Sequence, residues 1–318
     1  MGRSVSIQVW PFRAFLCHRR HDVLLSPGEQ LDARYRVTEL LGRGGMGEVW
    51  AGEGSDGPVA IKVLLERAAR RKDIQRRFER EAEAVSRIRS PFVCALLDQG
   101  FTSDGALFLV FELLQGESLA DRLRRELFLS FDELAPLMLD VLQGIQDAHL
   151  ANVLHRDLKP GNIFLQPGDD RERAVILDFG VSKVIQDVRA SEEPSITAYD
   201  GTVGSFAYMA PEQVRGAARV DERADVYGVA SVAFRSLTGR LPFEGMSARM
   251  VASLKLERPP PSLEQATGLR WPRLLEQFFA VGLSRNPDDR FSSAENAAKQ
   301  WADAWDLTCR VRASKNLE

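Results

Sequence analysis

The stretch VLHRDLKPGNIFL, Val153 to Leu165, packs unlike residues tightly together. Between His155 and Asn162 stand one acid, Asp157, two bases, Arg156 and Lys159, a histidine and an amide. Apolar residues close both ends: Val153 and Leu154 before, Ile163, Phe164 and Leu165 after. A solvated loop can carry the same polar groups, but it has no use for flanks that bury its ends. The pattern reads as a rigid loop at the edge of a core, with polar groups converging on one point.

Downstream, the apolar run AVILDFG ends on Asp178. An acid at the end of a buried strand is costly unless it meets a cation or hydrogen-bond donors. Asn162 and Asp178 together offer oxygen ligands of the kind magnesium takes. Asp157 is then left to orient a hydroxyl and accept its proton, and Lys159 to neutralise charge on a moving phosphoryl group. Phosphoryl transfer needs little more than positioning, cations and one proton acceptor.

Upstream, GRGGMG fits G-x-G-x-x-G at Gly42, Gly44 and Gly47. Alone this is a weak signal. A dinucleotide-binding turn needs a helix straight after the glycines and an acid about 20 residues on. Here Glu48 to Ala51 read as strand, and Lys62 stands near that distance with the wrong charge. A hairpin whose glycines let backbone N–H groups approach phosphates fits better. Lys62 lies in VAIKVLL. A lysine in an apolar strand ordinarily snorkels to solvent. A phosphate ligand needs an acidic partner, and Glu81 and Glu83 on the following helix are both candidates. Arg70, Arg71, Lys72, Arg76 and Arg77 read as a solvated helix face, because acids interleave with them.

The chain has 318 residues, 44% hydrophobic and 27% charged, with a net charge of −3. That is an ordinary globular balance with room for a sizeable core and no reason to expect nucleic acid as partner. Cys17, Cys94 and Cys309 lie far apart and form no disulfide or metal pattern, which points to a reducing, cytoplasmic setting. No stretch approaches the roughly 18 to 20 apolar residues that span a bilayer. Residues 1–34 read as a flexible extension. From 35 to about 113 strands and tight turns dominate, interrupted by a charged helix around FEREAEAV whose inward stripe is Phe78, Ala82, Val85 and Ile88. From 117 the pattern is helical. FDELAPLMLDVLQGIQDAHL puts Leu134, Met138, Val141, Ile145 and His149 on one face, with Pro136 read in its first turn. DERADVYGVASVAFRSLTG reads as a buried central helix.

Taken together, GRGGMGEV, VAIK, the acid in FEREAEAV, HRDLKPGN, DFG, YMAPE, DERADVYG and RNPDDRF resemble the eukaryotic-type (Hanks-type) protein serine/threonine kinases of bacteria, in the family's order. The resemblance implies an α+β, bilobal protein kinase fold. It would have a small antiparallel-sheet N-lobe with one main helix (35–113), a larger mainly helical C-lobe (117–305) and a C-terminal tail (306–318). It implies ATP and Mg2+, or Mn2+, as cofactors and protein serine or threonine hydroxyls as substrate. Gly42, Gly44 and Gly47 would cover the ATP phosphates. Lys62 would hold the α and β phosphates and pair with Glu81. Asp157 would be the catalytic acid/base residue, with Lys159 at the γ-phosphate and Asn162 and Asp178 on the metal. Leu41, Val49, Ala60 and Phe164 would sandwich the adenine, with Phe111 as gatekeeper and backbone groups of Glu112 and Leu114 at its edge. Val85, Leu96, His155 and Phe179 would stack over Asp225, and Glu212 would pair with Arg290. A lysine at 159 resembles serine/threonine rather than tyrosine kinases, and Ser205 stands where such kinases usually carry threonine.

The resemblance also implies a regulated segment from Asp178 to Glu212. Arg156 would grip a phosphate there, with Thr197 and Thr202 the favoured acceptors, and autophosphorylation would require transient self-association. Two rivals remain at this point: a catalytically dead nucleotide-binding scaffold, and a small-molecule phosphotransferase. The second lacks the APE helix that this chain carries.

Overall fold

The computed structural model describes residues 25–44, 47–64, 72–103, 105–179, 206–216 and 220–315. Its first layer is an antiparallel sheet in the order β1-β2-β3-β4-β6-β5. The strands are β1 (Gln30–Leu31), β2 (Tyr35–Gly44), β3 (Gly47–Gly54), β4 (Gly57–Leu64), β5 (Leu96–Phe101) and β6 (Leu107–Glu112). Side chains alternate across such a sheet with period two. Val59, Ile61 and Val63 of β4 therefore join Val37, Trp50, Phe108 and Val110 on the outer face. Ala60 and Leu64 join Val49, Leu107, Leu109 and Phe111 on the inner face. Lys62 lies between Ala60 and Leu64 in this alternation, so it belongs to the inner face rather than to solvent, and it is 3% exposed.

The helix α1 (Lys72–Ser86) crosses that inner face. Its expected stripe is the buried one: Phe78 and Ala82 pack into the inner cluster, while Val85 and Ile88, just past the helix end, reach the core of the second lobe. The sheet starts earlier than expected. Residues 25–34 are no loose extension: Leu25 and Leu31 cover the outer cluster, and β1 pairs with β2. Their apolar side chains seal a face that would otherwise meet water. Residues 1–24 lie outside the described residues.

The second lobe is built around α3 (Phe131–Leu150) and α5 (Arg223–Thr238). A capping box starts α3, with Ser130 and Glu133 each bonding the other's backbone amide. Pro136 sits inside the helix, at its sixth residue and not in its first turn, and the helix continues through it. Nearly every residue of α5 is buried, as its continuous apolar run requires, and Gly239 in the left-handed conformation (φ 72°) ends it. Around this pair lie α2 (Leu119–Glu126), α4 (Pro211–Val214), α6 (Ala248–Glu257), α7 (Leu263–Thr267), α8 (Arg273–Gly282) and α9 (Ala294–Lys315). The boundary expected at 305 falls inside α9, which meets no glycine or proline to stop it. Trp301 of α9 stacks edge-on against Phe131 at 5.3 Å and Phe278 at 4.8 Å, and donates to the Ala135 carbonyl at 3.0 Å. A small sheet of β7 (Glu117–Ser118), β8 (Ile163–Gln166) and β9 (Arg173–Ile176) brackets the opening stretch of sequence.

Arg290 and Glu212 pair as expected, through two parallel bonds of 2.7 Å each. The guanidinium also donates to the carbonyls of Ser284, Arg223 and Arg285, so one buried side chain satisfies four groups. Removing it leaves a carboxylate and three acceptors without their donor. Arg290→Met should therefore cost about 3–5 kcal/mol, read as a lower urea midpoint at unchanged slope.

Candidate active site

The polar stretch forms a loop between α3 and β8, and Asp225 on α5 holds its start. The Asp225 carboxylate accepts the backbone N–H of His155 at 2.9 Å and of Arg156 at 2.7 Å, and the His149 ring nitrogen Nε2 lies 2.8 Å away. Burial pushes this carboxyl up, but the His149 bond, the two histidines and the Arg156 amide outweigh it and hold Asp225 below the usual range. His155 Nδ1 accepts from the Asp157 amide at 3.3 Å, so its Nε2 carries the proton toward the Leu177 carbonyl at 2.9 Å. The Phe179 ring meets His155 edge-on at 4.7 Å, and Val85 and Phe179 belong to one buried cluster with Leu96 packed against it.

From this base the loop presents its polar groups. Lys159 Nζ lies 2.7 Å from Asp157 Oδ2. The Asn162 amide nitrogen donates to the Asp157 carbonyl at 2.8 Å, which leaves the amide oxygen for other use. Across the cleft, Lys62 Nζ lies 2.8 Å from Asp178 Oδ2. Among the described residues this is the ion pair that Lys62 makes. The pairing with Glu81 implied by the resemblance is not formed; Glu81 sits half-buried on α1 with other interactions. A lysine on the inner face takes the acid nearest to it, and here that acid is Asp178.

Asp178 has a left-handed backbone (φ 63°), uncommon for a residue with a Cβ and of a kind that clusters at functional sites. Its Oδ1 is buried without a hydrogen-bond partner. That orphaned oxygen, with the Asn162 amide oxygen, is a hard-oxygen pair suited to a magnesium-sized cation. Two protein oxygens are too few for a complete shell, and phosphate oxygens of a nucleotide are the natural remainder. The residues present fit such a group.

The expected adenine-facing residues converge. Val49, Ala60, Phe111, Leu114 and Phe164 form one buried cluster, with Leu41 packed against it. Leu177 and Cys94 belong to the same cluster and were not anticipated. Leu177 was legible as the apolar neighbour of Asp178; Cys94 carries no local signal. The Glu112 amide bonds to the Ala95 carbonyl at 3.2 Å, and its carbonyl accepts the Cys94 thiol at 3.8 Å, so the carbonyl is the Glu112 backbone group that can still serve a ligand. At the hairpin tip Gly44 pairs with Gly47 and Gly42 with Val49. Gly47 has φ 152°, and a Cβ there would lie 2.0 Å from the Val63 carbonyl oxygen, so glycine is required. Arg43 and Glu48 tie the tip across the hairpin at 2.8 Å, a contact sequence reading missed although their register makes them neighbours. Thr197, Tyr199, Thr202 and Ser205 lie outside the described residues.

The chain matches the protein kinase domain over residues 35–302, and it belongs to that family. It is 38% identical to the serine/threonine-protein kinase pkn3 of Myxococcus xanthus, over 84% of this chain and 49% of that protein. It is 32% identical to PknD of Mycobacterium tuberculosis, over 85% and 39%, and 30% identical to PrkC of Bacillus subtilis, over 88% and 42%. The chain thus spans about half or less of these relatives' lengths. Among solved structures, the PknI kinase domain of Mycobacterium tuberculosis superposes with a TM-score of 0.67 at 26% identity, covering 88% of this chain and 99% of that one. The bilobal kinase fold and the bacterial serine/threonine-protein kinase class are therefore those of this chain. Among the described residues no helix is long and apolar enough to cross a membrane.

Phe111 is 2% exposed and belongs to the buried cluster of expected adenine-facing residues. Phe111→Gly should open it. Adenine-based ligands with a bulky aromatic substituent should then bind more than about tenfold tighter to the variant than to wild type, on the scale of a large side chain's burial. Equal affinities by calorimetry would exclude that role.

Proposed function

We propose that the chain transfers the γ-phosphoryl group of ATP to serine or threonine hydroxyls of proteins. The observation that carries this reading is the convergence of Asp157, Lys159, Asn162 and Asp178 on one side of a cleft with Lys62 on the other. Asp157 orients the incoming hydroxyl and takes its proton. Lys159, already beside Asp157, offsets charge on the moving group. Lys62 exchanges its carboxylate partner for the α and β phosphates, and the glycine hairpin lays backbone N–H groups over them. A bound magnesium or manganese ion, held by Asn162 and Asp178, would neutralise charge between the phosphates. Lys62→Met or Asp178→Asn should lower phosphoryl transfer about a hundredfold or more while the chain stays folded by circular dichroism at the assay temperature. Near-wild-type turnover in either variant would falsify the assignment.

The same reading extends to control by autophosphorylation, in the cytoplasm and through transient self-association. Its support is Arg156. The residue has φ 64°, and its guanidinium Nε is buried with no hydrogen-bond partner. A phosphate on Thr197 or Thr202 adds about −1.5 to −2 charges and three acceptor oxygens, which would meet that donor. Intact-mass and peptide mapping of wild type against Asp157→Asn should find phosphate between residues 181 and 210 in wild type alone. A phosphate-free wild type, or full activity in the double Thr197→Ala/Thr202→Ala variant, would rule this control out.

A further inference from the structure

The phosphoryl-transfer reading gives the buried cation Lys255 no role. Lys255 on α6 is 1% exposed, and among the described residues no carboxylate forms an ion pair with it. Its Nζ donates to the Met209 carbonyl at 2.5 Å and lies 5.1 Å from the centroid of the Tyr227 ring. The Arg290 guanidinium lies 4.9 Å from that same centroid. The groups facing Lys255 are thus Glu212 from α4, Tyr227 from α5 and Arg290 from the segment before α9. Burial, and then Arg290, pull its ammonium down to about 7, against the opposing pull of Glu212.

A lysine in such a place is expensive, and methionine would fill the same space. What lysine alone supplies is a long donor that reaches a backbone carbonyl. That carbonyl belongs to the segment leading into α4. Tyr208, Met209 and Gln213 line a narrow crevice together with Arg156, Asp157 and Leu158 of the catalytic loop. Gln213 fastens one side of this wall: its amide nitrogen donates to the Arg156 carbonyl at 2.7 Å, and its oxygen accepts the Ala210 N–H at 2.9 Å. Lys255 fastens the other side to α6.

We infer that Lys255 is a positioning residue for the protein substrate: through the Met209 carbonyl it fixes the wall beside Asp157 on which a polypeptide presents its hydroxyl. The inference rests on the kinase reading and names the substrate side of that site. A charged ammonium holds a carbonyl about twice as strongly as a neutral amine does. The hold therefore weakens as pH rises through the value at which Lys255 loses its proton.

The test is steady-state kinetics with a serine peptide selected from a degenerate library on the wild-type chain, between about pH 6 and 8.5. In wild type the KM for peptide should rise with pH while the KM for ATP stays level. Lys255→Met should raise the peptide KM at least about fivefold at the low-pH end of this range, with the ATP KM unchanged. Lys255→Arg, which does not titrate in this range, should restore the low peptide KM and flatten its pH profile. A peptide KM unchanged in Lys255→Met, or both KM values rising together with a lower melting temperature, overturns the inference and leaves the kinase reading intact. Should Lys255→Met fail to fold, a flat wild-type profile, or a limb that persists in Lys255→Arg, overturns it equally. A wild-type chain that transfers no phosphate overturns the kinase reading and this inference with it.

Discussion

One buried carboxylate sets the frame of the site. Asp225 lies on the most buried helix of the molecule and takes two successive backbone N–H groups, those of His155 and Arg156. Backbone donors buried beside a core are costly to leave unpaired. Satisfying both from one side chain fixes the direction in which the loop leaves α3. Arg156 can then stay at φ 64°, a conformation that costs on the order of 1–3 kcal/mol, because its N–H and its carbonyl are both tied. Asp157, Lys159 and Asn162 follow within that fixed loop, so their mutual distances are inherited from the anchoring of residues that do no chemistry.

The other half of the site comes from the sheet, and the two halves meet through charge. Lys62 belongs to β4 and Asp178 to the segment after β9, so their contact at 2.8 Å spans the cleft between the lobes. Each is mostly buried, and each would carry an uncompensated charge without the other. The pair therefore leaves neither charge uncompensated. A ligand that brings both anionic phosphates and a cation offers each residue a replacement of the right sign, and the cleft is poised for that exchange. The α1 helix stands beside this pair with feet in both clusters, Phe78 and Ala82 in one and Val85 in the other, so movement between the lobes is felt along one helix.

Much of this was legible in the residues, for definite reasons. Phosphoryl chemistry admits few residue types at few spacings, so Lys62, Asp157, Asn162 and Asp178 could be singled out as candidates, and the fold brings them to one cleft. The helices α3, with its capping box and apolar stripe, and α5, with its continuous apolar run ended by Gly239, fell where the sequence put them. The misses are long-range or too short to be periodic. Choosing the partner of Lys62 among Glu81, Glu83 and Asp178 depends on how two lobes sit, and no local pattern carries that. The strand β1 has two residues, too few for an alternation to show. The domain boundary expected at 305 falls within α9, a helix in which the sequence itself offers no stop.

A common logic links the buried polar side chains of the larger lobe. Asp140 binds Arg171 and the Ala174 amide, Asp225 the His155 and Arg156 amides, Lys255 the Met209 carbonyl, and Arg290 three carbonyls besides Glu212. The partners include a backbone group of strand β9 for Asp140 and of a connecting segment for Asp225, Lys255 and Arg290. Apolar packing is strong but non-directional, and it can seat a helix without fixing a loop. Directional bonds from rigid helices do fix loops, and an unpaired buried group makes any other arrangement costly. The loops pinned in this way include the catalytic loop and the wall beside Asp157. The helical core is thus specified by its apolar faces, and the site by the few charges that core was made to bury.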